Sequence, residues 1–178
     1  VVCPMVNTAE DAARLVSYTR YPPHGVRSFG PGRAVFSAGS DYADKAEDEI
    51  VVFAMIETAE AMENLVAIAA TPGLDGLYIG PADLTLALTG RAYRTGFDRE
   101  EPEVVAAIQR ILAAAHAAGI RAALHCGTAE YALRAKDWGF DMVTVSNDVR
   151  LMAGAAAGSV ASFRKGTTAA SADSSRSY

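Results

Sequence analysis

Five short apolar runs recur along the chain, at Val1 to Val6, Ile50 to Ile56, Leu77 to Ile79, Ala122 to His125 and Met142 to Ser146. Each is too short for a helix, and several lack the in-out alternation of a half-wetted strand, which predicts strands buried on both faces. Between them apolar residues return every three or four positions. Ala12, Leu15, Val16 and Thr19 form one such stripe, and Met62, Leu65, Val66 and Ala69 a second. Val104, Ile108, Ile111, Leu112 and Ala115 form a third, and Tyr131, Ala135 and Trp138 a fourth. This is the 3.6-residue period of amphipathic helices. Alternation of strand and helix predicts parallel strands joined by right-handed crossovers, hence an α/β fold.

Local start and stop signals agree with these elements. Asn7 followed by Glu10 has the spacing of a capping pair, Thr58 and Thr128 are placed to cap the next helices, and Asp148 to cap the last. Gly119 and Gly139 sit where helices end. Tyr21 to Asp48, with Pro22, Pro23 and four glycines at 25, 30, 32 and 39, is expected to be one long loop. The Ser- and Ala-rich residues 166–178 show no apolar period and are expected to form a disordered tail behind a domain of residues 1–165.

Composition narrows the class. Of 178 residues, 51% are hydrophobic and 21% charged, the balance of a globular domain. A formal charge of -5 offers no electrostatic footprint for nucleic acid or an anionic membrane, and no apolar run nears the roughly 18 residues of a bilayer span. Cys3 and Cys126 form no CxxC pair, which argues against a disulfide framework or structural zinc and fits a reducing cytoplasm.

Two carboxylates stand out by position. Glu57 closes the run Val51 to Ile56, and Asp83 follows Leu77-Tyr78-Ile79 within Gly80-Pro81-Ala82-Asp83-Leu84. Ligand sites of parallel α/β folds lie at the C-terminal ends of the strands, so successive strands bring the two groups to one rim. Two hard oxygen donors, completed by water and substrate, suit an octahedral divalent ion. The alternative is that each carboxylate merely favours the first turn of the helix it precedes.

The segment Ile56-Glu57-Thr58-Ala59-Glu60-Ala61-Met62, followed by Gly73 to Thr85 with its GPADLT turn, resembles the HpcH/HpaI aldolase family. Cys3-Pro4-Met5-Val6-Asn7, Tyr21 to Arg27 and the acidic stretch from Asp44 to Ile50 match in order, and the resemblance extends to about Arg164. It implies a (β/α)8 TIM barrel of which this chain supplies strands four to eight. The implied activity is metal-dependent cleavage of a 4-hydroxy-2-oxo acid into pyruvate and an aldehyde, in an oligomer when the protein is full length. It assigns Glu57 and Asp83 to the metal (Mg²⁺, Mn²⁺ or Co²⁺), and the backbone N–H groups of Ala82 and Asp83 to the substrate carboxylate.

The sequence departs from the family at Met55, where a substrate-contacting Gln is usual, and at Ser28, which replaces the second Gly of a GxRG loop beside Arg27. Arg27 is a candidate for the rim or a brace of its own loop. The family's catalytic His and Arg fall before Val1, and none of His24, His116 or His125 matches that His. His125 ends a strand and can face the barrel mouth; His24 is expected in solvent, His116 on a helix edge, and Cys126 as a packed side chain. The chain begins inside a strand, which leads to the expectation of upstream residues and of an inactive piece in their absence. Two rivals stand beside the aldolase: a citrate-lyase-β-like or malyl-CoA-type lyase, and a non-catalytic remnant that binds metal and oxo acid.

Overall fold

The computed structural model describes residues 1–174, with side chains to residue 166. Strand β1 (Val2–Cys3) leads through α1 (Ala9–Thr19), α2 (Ala34–Ala38) and α3 (Tyr42–Glu49) to β2 (Phe53–Ile56). Helices α4 (Ala59–Glu63) and α5 (Leu65–Ala69) precede β3 (Gly76–Ile79), and α6 (Pro81–Thr89) and α7 (Pro102–Ala117) precede β4 (Arg121–Leu124). The described chain ends with α8 (Ala129–Trp138), β5 (Met142–Val143) and α9 (Asp148–Ser174). All five strands pair in parallel, in chain order β1-β2-β3-β4-β5. Among the described residues the strand order never reverses, so they hold no switch point of a doubly wound sheet; the arrangement is that of consecutive units of a (β/α) barrel.

The faces of the sheet differ. Ala54, Ile56, Leu77, Ile79, Ala122 and Leu124 point to the helices and join the main core. On the other face Phe53, Tyr78 and Ala123 form a small cluster with Met55 packed against it. Register explains both sets, because Met55, Tyr78 and Ala123 pair across three strands, as do Ile56, Ile79 and Leu124. The expectation of two-faced burial holds for the central strands, and every residue of β3 is buried.

The third predicted stripe is buried in full on α7, and full burial of each large aliphatic side chain is worth about 1.5–3 kcal/mol. The second stripe needs correction. Val66 is 75% exposed while Ile68 is buried, because the helix breaks at Asn64 into α4 and α5 and the phase of the apolar face rotates there. The side chain of Asn64 donates to the carbonyl of Asn7 at 2.9 Å, which fixes the break.

Caps on α4 and α8 are Thr58 and Thr128, as expected. At α1 the capping box belongs to Thr8 and Asp11 rather than Asn7 and Glu10, one residue later. At α9 Asn147 caps, its Oδ1 accepting from Arg150 N at 2.9 Å, and Asp148 is already inside the helix. The expected loop from Tyr21 to Asp48 contains α2 and nearly all of α3, the first too short and the second too charged to show a stripe. Arg27 braces that segment: its guanidinium lies 4.5 Å from the Tyr21 ring centroid and donates to Tyr42 Oη at 3.0 Å. The reading of residues 166–178 as a tail overlaps the end of α9, whose backbone runs to Ser174; side chains beyond residue 166 and all of 175–178 lie outside the described residues.

Gly76 shows how tight the inner face is. A Cβ there would run into the Phe53 ring and come within 2.6 Å of the Arg121 carbonyl. Gly76→Ala is therefore expected to cost about 1–3 kcal/mol through overpacking, read as a lower urea midpoint. An unchanged midpoint would mean that the ring and the neighbouring strand yield freely.

Candidate active site

The C-terminal ends of β2, β3 and β4 open into one cavity of about 380 Å³, lined by Met55, Glu57, Tyr78, Asp83, Phe97 and His125 among others. Each strand contributes by the same rule, delivering its last inward residue or the one just beyond it. Glu57 follows β2 and is only 4% exposed. Asp83 lies in the first turn of α6 and is exposed to the cavity mouth. His125 follows β4.

Glu57 is held from two sides. Its Oε1 accepts the backbone N–H of Met5 at 2.9 Å, and Met5 adopts a left-handed backbone with φ of 58°, a conformation costly for a side chain of this size. On the other side a Cβ at Gly80 would strike Glu57 Oε2 and approach Met55 Sδ to 3.0 Å. Glycine at position 80 is thus what lets the carboxylate and the thioether share the strand end. Burial pushes the Glu57 carboxyl above its ordinary range, the Met5 N–H pulls it back, and the charge of Asp83 adds to the rise.

Helix α6 opens with Pro81 in its first turn. The N–H groups of Ala82 and Asp83 have no intrahelical acceptor, and the positive end of the helix dipole faces the cavity. Leu84 N is the first donor of that turn to be satisfied, by the Gly80 carbonyl at 3.0 Å. Such a turn is an anion cradle.

The structure thus brings together Glu57, Asp83, Ala82 and Met55, with His125 beside them. It leaves out Arg27, His24, which pairs with Glu47 at 2.7 Å, and His116, which meets Asp141 at 3.1 Å. Cys126 is buried and its thiol is pushed up to about 12 by burial, so it stays protonated and is a packed side chain. Sequence reasoning missed Tyr78, Phe97 and Asn147 as cavity residues. Tyr78 could have been found by pairing β3 with β2, since it stands opposite Met55; Phe97 sits in an irregular segment without period.

Parallel strands in chain order, with carboxylates and an open helix N-terminus at their C-terminal ends, are the arrangement of consecutive (β/α)-barrel units, and such folds place their ligand sites at this end. The model of the HpcH/HpaI aldolase/citrate lyase family matches residues 1–154, and the chain belongs to that family. It is 42% identical over 164 residues to a hydroxypyruvate/pyruvate aldolase of Rhizorhabdus wittichii, covering 92% of this chain and 64% of the relative. It is 37% identical to a 4-hydroxy-2-oxo-heptane-1,7-dioate aldolase of Shigella sonnei, covering 95% and 64%. A family protein of Burkholderia cenocepacia superposes with a TM-score of 0.76 at 32% identity, over 92% of this chain and 64% of that one. The chain therefore spans just under two thirds of the length of these relatives.

A pH-dependent stability difference follows for Glu57. The folded state binds the Glu57 proton up to a higher pH than the unfolded chain does. Its ionisation is thus a cost to folding, absent below the unfolded carboxyl range near ~4.3 and fully present above the raised folded value. In the presence of chelator, Glu57→Gln keeps an acceptor for Met5 N–H and is expected to stabilise the chain at pH 7, with the gain vanishing toward pH 4. Urea denaturation at the two pH values measures it; a gain independent of pH would show that charge burial is not its source.

Proposed function

We propose that the complete protein is a metal-dependent aldolase that cleaves 4-hydroxy-2-oxo acids into pyruvate and an aldehyde. The observation that carries this reading is that Glu57 and Asp83, from successive strand ends, enter one cavity beside the open N-terminus of α6. Among the described residues no cluster of three or more His, Cys, Asp and Glu side chains competes with them. Two carboxylate donors, one buried and one open, fit Mg²⁺, Mn²⁺ or Co²⁺ with the remaining positions left to water and substrate. When bound, such an ion supplies Lewis acidity to the oxygens of the 2-oxo acid.

The chain's own residues do the rest of the positioning. Ala82 and Asp83 offer N–H donors to the substrate carboxylate, and Met55 gives the cavity an apolar wall where an amide would otherwise bond. The bond broken is C3–C4: the C4 hydroxyl loses its proton to a base, the aldehyde departs, and the electron pair is left on the pyruvate enolate. We assign the base and a charge-stabilising Arg to βα units preceding Val1, which would also pair with β1 and β5 to close the sheet. The aldolase names of the relatives described favour this reading over a CoA-dependent lyase. The 2-oxo acid and aldehyde are the expected small-molecule partners, in a cytoplasmic homo-oligomer.

Two measurements test the proposal. Mn²⁺ binding to the chain, followed by electron paramagnetic resonance, is expected to weaken at least tenfold in Glu57→Gln and in Asp83→Asn; equal affinity in both variants and the parent would refute the ligand assignment. Retro-aldol turnover by residues 1–178 alone is expected near background and restored when upstream βα units are supplied, since a positioned base contributes about 10²–10⁴-fold. Robust turnover by the chain alone would remove the case for an upstream base.

Met55→Gln in the complete barrel gives a separate check. It is expected to lower the Michaelis constant for pyruvate while shifting stability by less than about 1 kcal/mol, an ordinary value for a cavity-lining exchange. A change in stability without a change in that constant would place Met55 outside substrate contact.

A further inference from the structure

A line of hydrogen-bonding groups with no part in the chemistry above ends on the cavity wall. The N–H of Cys126 donates to Thr144 Oγ1 at 2.9 Å. The Thr144 hydroxyl donates back to the Cys126 carbonyl at 3.3 Å and lies beside the phenol of Tyr78. Tyr78 Oη lies 2.8 Å from Nδ1 of His125. The His125 ring packs edge-on to Phe97, centroids 4.4 Å apart, and lines the same cavity as Glu57 and Asp83.

Proton placement along this line is constrained. Burial pushes the Tyr78 phenol up, so it keeps its proton. Its hydrogen-bond partner is Nδ1 of His125, and a phenol that donates there fixes the tautomer of the ring. Burial and the nearby Arg150 lower the His125 pKa, with Asp98 opposing, so the imidazole is neutral at physiological pH. A neutral ring that accepts at Nδ1 carries its hydrogen on Nε2. Among the described residues Nε2 has no hydrogen-bond partner.

We infer that His125, oriented by Tyr78, is a specificity-determining residue whose Nε2–H donates to an oxygen on the aldehyde half of the substrate and so selects hydroxylated over hydrocarbon aldehydes. The inference rests on the aldolase reading. On that reading the carboxylate half of the substrate is engaged at α6 and through the ion that Glu57 and Asp83 would hold, which leaves the β4 side of the cavity to the departing aldehyde. The other residues lining that side are Phe97, which offers no donor, and Asn147, whose Oδ1 accepts from Arg150 N and whose amide NH2 is a second donor beside His125. A partly buried donor left unmatched by an apolar aldehyde penalises that substrate.

Two experiments bear on it. In the 178-residue chain, ¹⁵N-histidine correlation spectra are expected to show His125 neutral with hydrogen on Nε2, and Tyr78→Phe to erase that preference; hydrogen on Nδ1 in the parent overturns the inference. In the protein with a complete barrel, pyruvate addition to glycolaldehyde is compared with addition to propionaldehyde, alongside exchange of the pyruvate methyl protons in D₂O. His125→Phe is expected to lower the glycolaldehyde-to-propionaldehyde ratio of kcat/KM tenfold to a hundredfold, chiefly through KM, with His125→Gln recovering part of it. A ratio that stays put overturns the inference, as does a loss of proton exchange as large as the loss of addition, which would make His125 a base. A parent protein that exchanges no pyruvate protons overturns the aldolase reading instead.

Discussion

A carboxylate at the end of a buried strand is an expensive object, and much of this structure is arranged around Glu57. Desolvation alone would favour its protonated form or its expulsion to solvent. Met5 answers with a backbone N–H, at the cost of a left-handed φ, and Gly80 answers by having no side chain. These two residues come from the loops after β1 and β3, so the carboxylate ties three neighbouring strand ends together. A cation held there, as proposed above, would add the remaining compensation.

Around that point the sheet separates stability from chemistry. Its outer face is aliphatic and covered by α7, α5 and their neighbours, forming the main core. The inner face is thin and mixed, with aromatic rings, a thioether and a glycine where the Phe53 ring needs room. A substitution on the outer face is therefore felt as packing, whereas one on the inner face reaches the cavity within a residue or two.

Much of this was legible in the chain. The α7 stripe from Val104 to Ala115 is strictly periodic, and packing in the structure follows it. That Glu57 and Asp83 reach one cavity was legible because the ends of parallel strands are where side chains converge. What sequence could not give was phase. The shift of the α1 cap by one residue to Thr8, and the exposed Val66, both turn on Asn7 and Asn64, whose contact crosses from one βα unit to the next. Likewise α2 and α3 hold only one buried residue between them, Ala46, so no apolar signal could reveal them. Tyr78 was hidden by a continuous buried run: when every residue of a strand is covered, alternation no longer says which side chains face the ligand.

The strand order has a kinetic corollary. Phe53 finds Gly76 across a span of chain about half as long as the one that separates Val2 from Phe53. Each doubling of a closed loop costs only about 0.6 kcal/mol of extra entropy, yet β1 also brings just two residues to its ladder, against four in β2. The longest of the four closures thus ends on one of the two shortest strands, and in this stretch of chain β1 is expected to pair with β2 after β2 has paired with β3. The amide of Met5, which grips the buried carboxylate, belongs to that late piece. In native-state hydrogen exchange it should open before the amides of β3, so that the grip on Glu57 is made last in folding and released first in unfolding.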